Sequence, residues 1–257
     1  MCLIAFAWQA HPRWRLVLAG NRDEFHERPS AALARWDRSS IMAGRDLQAG
    51  GTWLGVADAG RCCVVTNVRD PRDPQLGTSR GMLVTDYLGG DRDAATHAQH
   101  LLHSAAAYRP FNLLTFDAHE AFYLGNRPAP RAQAITPGVH GLSNADFNTP
   151  WPKTRAMMQS LQGWIAGPDE NDFTSLFDAL ADECLAPDAL LPDTGIGLER
   201  ERRLSAAFIR GEQYGTRAST VVAIGHDGAG LITERRFGPN GRFGGETTLH
   251  FADGSPG

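Results

Sequence analysis

The chain has 257 residues, 42% of them hydrophobic, enough to bury a substantial core within one domain. Its formal net charge of −4 gives no nucleic-acid footprint, and no apolar run approaches the ~20 residues that cross a bilayer. Four cysteines, Cys2, Cys62, Cys63 and Cys184, show neither metal-type spacing nor a disulfide framework, so a reducing, cytoplasmic setting is expected.

In chain order, Cys2–Trp8 reads as a buried strand, and residues 14–20 as its hairpin partner across the His11-Pro12-Arg13 turn. The start has no basic segment and no small-residue cleavage site, so it is not read as a signal peptide. Asn21-Arg22-Asp23-Glu24 follows at a strand end, and the stretch to Arg45 reads as irregular. Strands are expected at 52–57 and 61–67, then a polar loop over 69–77. Ser79 is placed as the cap of a helix to Leu88, and Asp91 as the cap of another through Ala107.

Residues 111–116 and 121–124 read as a second hairpin, and 126–150 as loop. Pro152 opens a helix to Ile165, since proline is tolerated at a first helical position. Further helices are expected over 172–184 and 199–209, then strands at 219–224, 231–237 and 247–251. Strands and helices in alternating blocks, without repeats or linkers, point to one layered α+β domain of mostly antiparallel sheets.

Cys2 is the residue that stands out. If Met1 is removed, a thiol and a free α-amine share one residue, with reference pKa values of about 8.5 and about 7.7–8.0. That is the kit of an N-terminal nucleophile, in which the amine serves as base for its own side chain. A hairpin returns Arg22 and Asp23 near Cys2, where an arginine favours a thiolate and an aspartate could hold an ammonium. Asn67 and Asn144 end apolar or glycine-bearing segments and offer amides to an oxyanion, and Arg217 precedes a strand that could face the same pocket. His97, His100 and His103 drift around one helix rather than converging, and no P-loop, dinucleotide fingerprint or nucleophile elbow is present.

Several motifs carry a family resemblance. They include Met1-Cys2-Leu3-Ile4, Leu18-Ala19-Gly20-Asn21-Arg22-Asp23-Glu24-Phe25, Ala43-Gly44-Arg45-Asp46-Leu47 and Gly50-Gly51-Thr52-Trp53-Leu54-Gly55. Thr66-Asn67, Ser79-Arg80-Gly81, Phe111-Asn112-Leu113-Leu114, Gly141-Leu142-Ser143-Asn144, Pro150-Trp151-Pro152-Lys153 and Tyr214-Gly215-Thr216-Arg217 extend it along the chain. The sequence resembles the NRDE family, which is transport and Golgi organisation protein 2-like. The resemblance implies the N-terminal nucleophile hydrolase architecture, a four-layer αββα sandwich, distantly similar to penicillin V acylases and bile salt hydrolases.

Carried over from that group, Cys2 is the nucleophile, Arg22 and Asp23 follow the first hairpin, Asn67 and Asn144 line the oxyanion region, and Arg217 completes the site. The acylases separate the arginine from the aspartate, so which of Arg22 and Asp23 serves the nucleophile is left open. The implied reaction is hydrolysis of a linear or acylated amide C–N bond through a thioester, with a small-molecule substrate and no cofactor. Family links to haem trafficking and to acyl-CoA or lipid handling imply an alternative, a non-catalytic carrier on the same scaffold.

Overall fold

The computed structural model describes residues 2–71 and 77–252. Met1, whose removal the nucleophile reading requires, and residues 72–76 of the polar loop lie outside them. The strands are β1 (Cys2–Trp8), β2 (Trp14–Phe25), β3 (Ser30–Arg35), β4 (Met42–Asp46), β5 (Leu54–Ala57), β6 (Arg61–Asn67), β7 (Phe111–Phe116), β8 (Ala121–Gly125), β9 (Arg131–Ala134), β10 (Gly138–Leu142), β11 (Tyr214–Gly225), β12 (Gly230–Phe237) and β13 (Phe243–Phe251). The helices are α1 (Gly81–Leu88), α2 (Ala94–Leu102), α3 (Pro152–Ile165), α4 (Thr174–Leu180) and α5 (Leu198–Arg203).

One sheet runs β10-β1-β2-β11-β12-β13 and the other β3 to β9 in sequence order; adjacent strands in both are antiparallel. Helices α3 and α4 cover the outer face of the first sheet, and α1 and α2 that of the second. The layers are therefore helix, sheet, sheet, helix, the αββα arrangement.

Alternation explains why β1 is apolar throughout. Its large residues Ile4, Phe6 and Trp8 enter the core between the sheets, against Phe116, Leu114 and Tyr123 of the facing sheet. The residues between them, Leu3, Ala5 and Ala7, pack under Met157, Leu161 and Trp164 of α3. A strand buried on both faces reads as a continuous apolar run, and its alanines let the helix approach closely. Cys62 and Cys63 obey the same rule, one facing the other sheet and one facing α1 and α2. All four cysteines are free.

The structure departs from the sequence reading at several places. β2 continues through Phe25, so Asn21–Glu24 lies within a strand rather than beyond its end. The stretch read as irregular contains β3 and β4, and the stretch read as loop contains β9 and β10. α1 is preceded by Arg80 and has no side-chain cap, so Ser79 does not serve as one. α2 starts later than expected, because Asp93, not Asp91, accepts from the Thr96 backbone N–H at 2.6 Å.

α4 and α5 are also shorter than expected. Asn21, fully buried, donates through its side-chain amide to the carbonyls of Leu180 and Ala207, both at 2.8 Å. Those carbonyls end or follow the helices and are spent on the sheet. The Phe208 N–H likewise donates to the Asp182 carbonyl at 2.8 Å, so residues 204–209 cannot continue α5.

Candidate active site

The register places the nucleophile. Cys2 opens β1 opposite Arg22 of β2, and Ala218 of β11 pairs with the same Arg22. Arg22 shares the parity of Leu16 and Leu18, whose side chains face the second sheet, so Arg22 and Cys2 look into the gap between the sheets. Asn67 closes β6 on the facing sheet. Two glycines bring a further wall close: a Cβ on Gly51 would lie 2.4 Å from the Gly81 carbonyl carbon. Only glycine permits that approach, and it sets Arg80 at the same opening. The result is a cleft of about 250 Å³ lined by Cys2, Arg22, Asp23, Asn67, Arg80 and Arg217 among others.

Cys2 is 7% exposed, and burial pushes its thiol above the ordinary range, with Asp23 acting in the same direction. The chain's amino terminus, Arg22 and Arg80 pull it down, and desolvation outweighs them. Arg22 therefore acts in the expected direction on the thiol, against a larger effect of burial. The Cys2 carbonyl accepts from the Ser143 hydroxyl at 2.9 Å, and the Ser143 carbonyl accepts from the Thr66 hydroxyl at 2.9 Å, which ties β1 to β6 below the cleft.

The two asparagines occupy different positions. Asn67 lines the cleft, and its own amide N–H reaches only the Val68 carbonyl at 3.4 Å. Asn144 is fully buried behind it and donates to the Asn67 carbonyl at 3.0 Å and to Asn67 Oδ1 at 2.9 Å. Asn67 thus stands at the cleft, while Asn144 spends its donors on Asn67.

Strand alternation also separates Arg22 from Asp23. Asp23 is 2% exposed and accepts from the Thr216 hydroxyl at 2.8 Å through Oδ1. Burial raises its pKa, opposed first by the chain's amino terminus and then by Lys153, Thr216 and Arg22. It sits one register step beyond the Cys2–Arg22 pair, level with the amino end of Cys2. Glu24 lies 3.8 Å from both Arg22 and Arg28.

Arg217 is the extra residue of a bulge, since Thr216 pairs with Asp23 and Ala218 with Arg22. Its guanidinium donates to the carbonyls of Phe25, His26 and Arg28 and to the Ser30 hydroxyl. Arg217 therefore borders the cleft and also ties down its wall.

Sequence reasoning missed three participants. Arg80 acts on the thiol. Arg69, stacked 4.7 Å over Trp151, pairs with the buried Glu201. Lys153, 5% exposed at the start of α3, acts on Asp23 and Cys2. The signal for Lys153 was available: it is the only lysine in a chain rich in arginine.

The cleft has a distinct electrostatic character. Among the described residues, seven arginines (Arg22, Arg28, Arg45, Arg80, Arg109, Arg217 and Arg236) line it against four carboxylates (Asp23, Glu24, Asp46 and Glu234). The formal balance is three positive charges, inside a chain of net −4. Arg109 Nε is buried without a hydrogen-bond partner. No group of three or more His, Cys, Asp or Glu is gathered for a metal among the described residues. His97 is buried edge-on to Tyr87, its pKa lowered by desolvation to about 4, while His100 and His103 point to solvent. No helix among the described residues is long and apolar enough to cross a membrane.

Comparison with known proteins agrees with the architecture. The chain superposes on a C2A mutant of conjugated bile acid hydrolase from Clostridium perfringens with a TM-score of 0.52, covering 96% of this chain and 92% of that one at 6% identity. That likeness establishes a shared N-terminal nucleophile hydrolase fold. In sequence, the chain is 34% identical over 256 residues to the human Transport and Golgi organization protein 2 homolog, covering 91% of this chain and 92% of that protein. It is 33% identical over 255 residues to the mouse homolog, with the same coverage. The family model described as Transport and Golgi organisation 2 matches residues 1–239, and the chain belongs to that family.

Proposed function

We propose that this protein is a cysteine N-terminal nucleophile amidohydrolase whose substrate is a compact acyl amide bearing an anionic group. The observation that carries the reading is Cys2 at the mouth of a cleft that Asn67 faces from the opposite sheet. The Cys2 sulfur attacks the amide carbonyl, and its proton passes to the α-amine freed by loss of Met1. Asn67 donates to the oxyanion, and Asp23 holds the α-ammonium. The amine product leaves with that proton, and water then splits the thioester to release the acid and regenerate the thiol. A hydrolase with a cysteine at the same second position shares the fold, which supports the assignment. The arginine-rich lining supports the anionic group, and a volume of about 250 Å³ supports a small substrate.

The deciding experiment is the intact mass of native-start protein in a Cys184→Ser background, before and after low-dose iodoacetamide. The background matters because Cys184 is exposed, whereas Cys62 and Cys63 are fully buried with raised thiol pKa values. The expected result is a mass short by one methionine and a single adduct at Cys2. Cys2→Ala should then abolish hydrolysis of acyl amides with the fold intact. A Cys2→Ala protein that cleaves every substrate the parent cleaves rules the mechanism out.

The same arginines favour, as a second reading, retention of an acyl-CoA without turnover. Its mark would be stoichiometric binding unaffected by Cys2→Ala. Haem is less favoured, since no histidine is among the described residues that line the cleft.

A further inference from the structure

The two ends of the cleft are unlike in charge. Cys2 pairs with Arg22, Arg22 with Ala218 of β11, and Ala218 with Arg236 of β12, so one row crosses four strands. Arg22 shares the parity of Leu16 and Leu18, and Arg236 and Glu234 that of Ile232, so all three look into the gap between the sheets. Three strand spacings, about 14 Å, separate Cys2 from the strand that carries Glu234.

At the nucleophile's end the guanidiniums are weakly engaged. Arg22 has one ion contact among the described residues, Glu24 at 3.8 Å. Arg109, two residues before the Phe111 that pairs with Asn67, keeps its buried Nε without a hydrogen-bond partner. Elsewhere in the cleft Arg28 is held by Asp46 at 2.7 Å, Arg217 by the carbonyls of the wall, and Arg236 by the Thr247 hydroxyl at 2.8 Å.

Glu234 is the opposite case. It lines the cleft and is only 6% exposed. Its Oε1 accepts from the Leu33 backbone N–H of β3 at 2.9 Å, and Arg236 stands 3.8 Å from that same oxygen, too far for a hydrogen bond. Oε2 has no hydrogen-bond partner among the described residues, yet it is not sealed from the cleft. Gly44 of β4 leaves it uncovered, since a Cβ there would lie 3.0 Å from Oε2. Thr220, opposite Glu234 in the register and on the same face, also buries its hydroxyl oxygen without a partner. A buried carboxylate with one oxygen unmet is costly unless a donor joins it.

We propose that Glu234 forms a distal subsite for a cationic nitrogen, in which Oε2 accepts from an ammonium at the far end of the substrate while a carboxylate nearer the scissile bond lies at Arg22 and Arg109. Ala218 and Trp53 line the cleft as well and offer apolar surface to a methylene chain joining the two groups. The proposal rests on the amidohydrolase reading for the bond placed at Cys2, and it narrows the substrate class to amphoteric acyl amides.

Binding tests this without turnover. Cys2→Ala protein is titrated calorimetrically with N-acylglycines whose acyl chains run from four to eight carbons and end in either an ammonium or a methyl group. At the best length the ammonium should tighten binding by about 10-fold or more, as expected of a hydrogen bond to a charged group. Glu234→Gln keeps an acceptor for the Leu33 N–H and removes the charge, whereas Gly44→Ala covers Oε2 and keeps the charge. Either change should reduce the amine-ended probes to the affinity of the methyl-ended ones, and Gly44→Ala decides should Glu234→Gln not fold. No gain from the ammonium at any length, or a gain that survives either folded variant, overturns the proposal. Cleavage is read separately in the parent protein. Amine-ended probes held through Glu234 but never hydrolysed would remove the amidohydrolase reading and leave the subsite, and hydrolysis indifferent to the ammonium would do the reverse.

Discussion

At the scale of single residues, the proposed mechanism gives Asn67 a chemical role and Asn144 a supporting one. Removing the Asn67 amide deletes a donor needed only once the carbonyl oxygen becomes an oxyanion. Asn67→Ala should therefore lower kcat by about 10²–10³-fold with little change in KM. Asn144→Ala removes a fully buried side chain and leaves the half-buried Asn67 carbonyl and Oδ1 without its donors. It should cost about 1–3 kcal/mol of stability in addition to lowering turnover. Parallel urea unfolding and kinetics of the two variants check the split, and equal stability losses would refute it. Both asparagines were visible in the sequence as strand-end amides. That one stands behind the other was not, because it depends on how the 143–144 turn meets the end of β6 from another sheet.

At the scale of elements, the bulge at Arg217 is a device for building the cleft wall. An extra residue in β11 re-aims a guanidinium onto three carbonyls of the turn between β2 and β3. Arg217→Ala should cost on the order of 2 kcal/mol, since hydrogen bonds to a charged donor are lost together. Its signature should be faster amide exchange confined to residues 25–30, while the Cys2 alkylation rate at fixed pH changes less than threefold. Exchange that rises across β2 and β11 as a whole would show instead that Arg217 holds the sheet.

Legibility at this scale followed burial. β1, β2, β6, β7 and β11 are covered on both faces, so their side chains announce them as long apolar runs. β3 and β9 stand at the two edges of their sheet, and their residues are mostly exposed or half-buried. Their pairing is carried by backbone groups that no side-chain pattern reports. The early ends of α4 and α5 were hidden for a related reason: the amide that claims their carbonyls, Asn21, is more than 150 residues away along the chain.

At the scale of the whole molecule, the buried ionisable groups set the pH range of stability, and their signs oppose. Burial raises the thiols of Cys62, Cys63 and Cys2. A raised folded pKa means that the native state holds its proton longer than the unfolded chain. Stability is then fully present below the unfolded thiol value of about 8.5 and is lost as pH rises above it, by about 1.4 kcal/mol per unit per thiol. Lys153 runs the other way. Its folded value of about 8 lies below the unfolded value of about 10.4, so the unfolded chain holds more protons in that window and stability rises with pH there. Cys62 and Cys63 alone outweigh one lysine, so net stability should fall by at least about 1.4 kcal/mol per pH unit between pH 8.5 and 10.4. Above that window Lys153 contributes no further gain, while Tyr87, Tyr123 and Tyr214, all raised by burial, join the thiols. The descent should steepen. Urea midpoints from pH 7 to 11 test this. Cys62→Ala combined with Cys63→Ala should flatten the descent below pH 10.4, leaving Cys2 and Lys153 with opposite signs; an unchanged slope would mean that those two thiols do not control the alkaline limb.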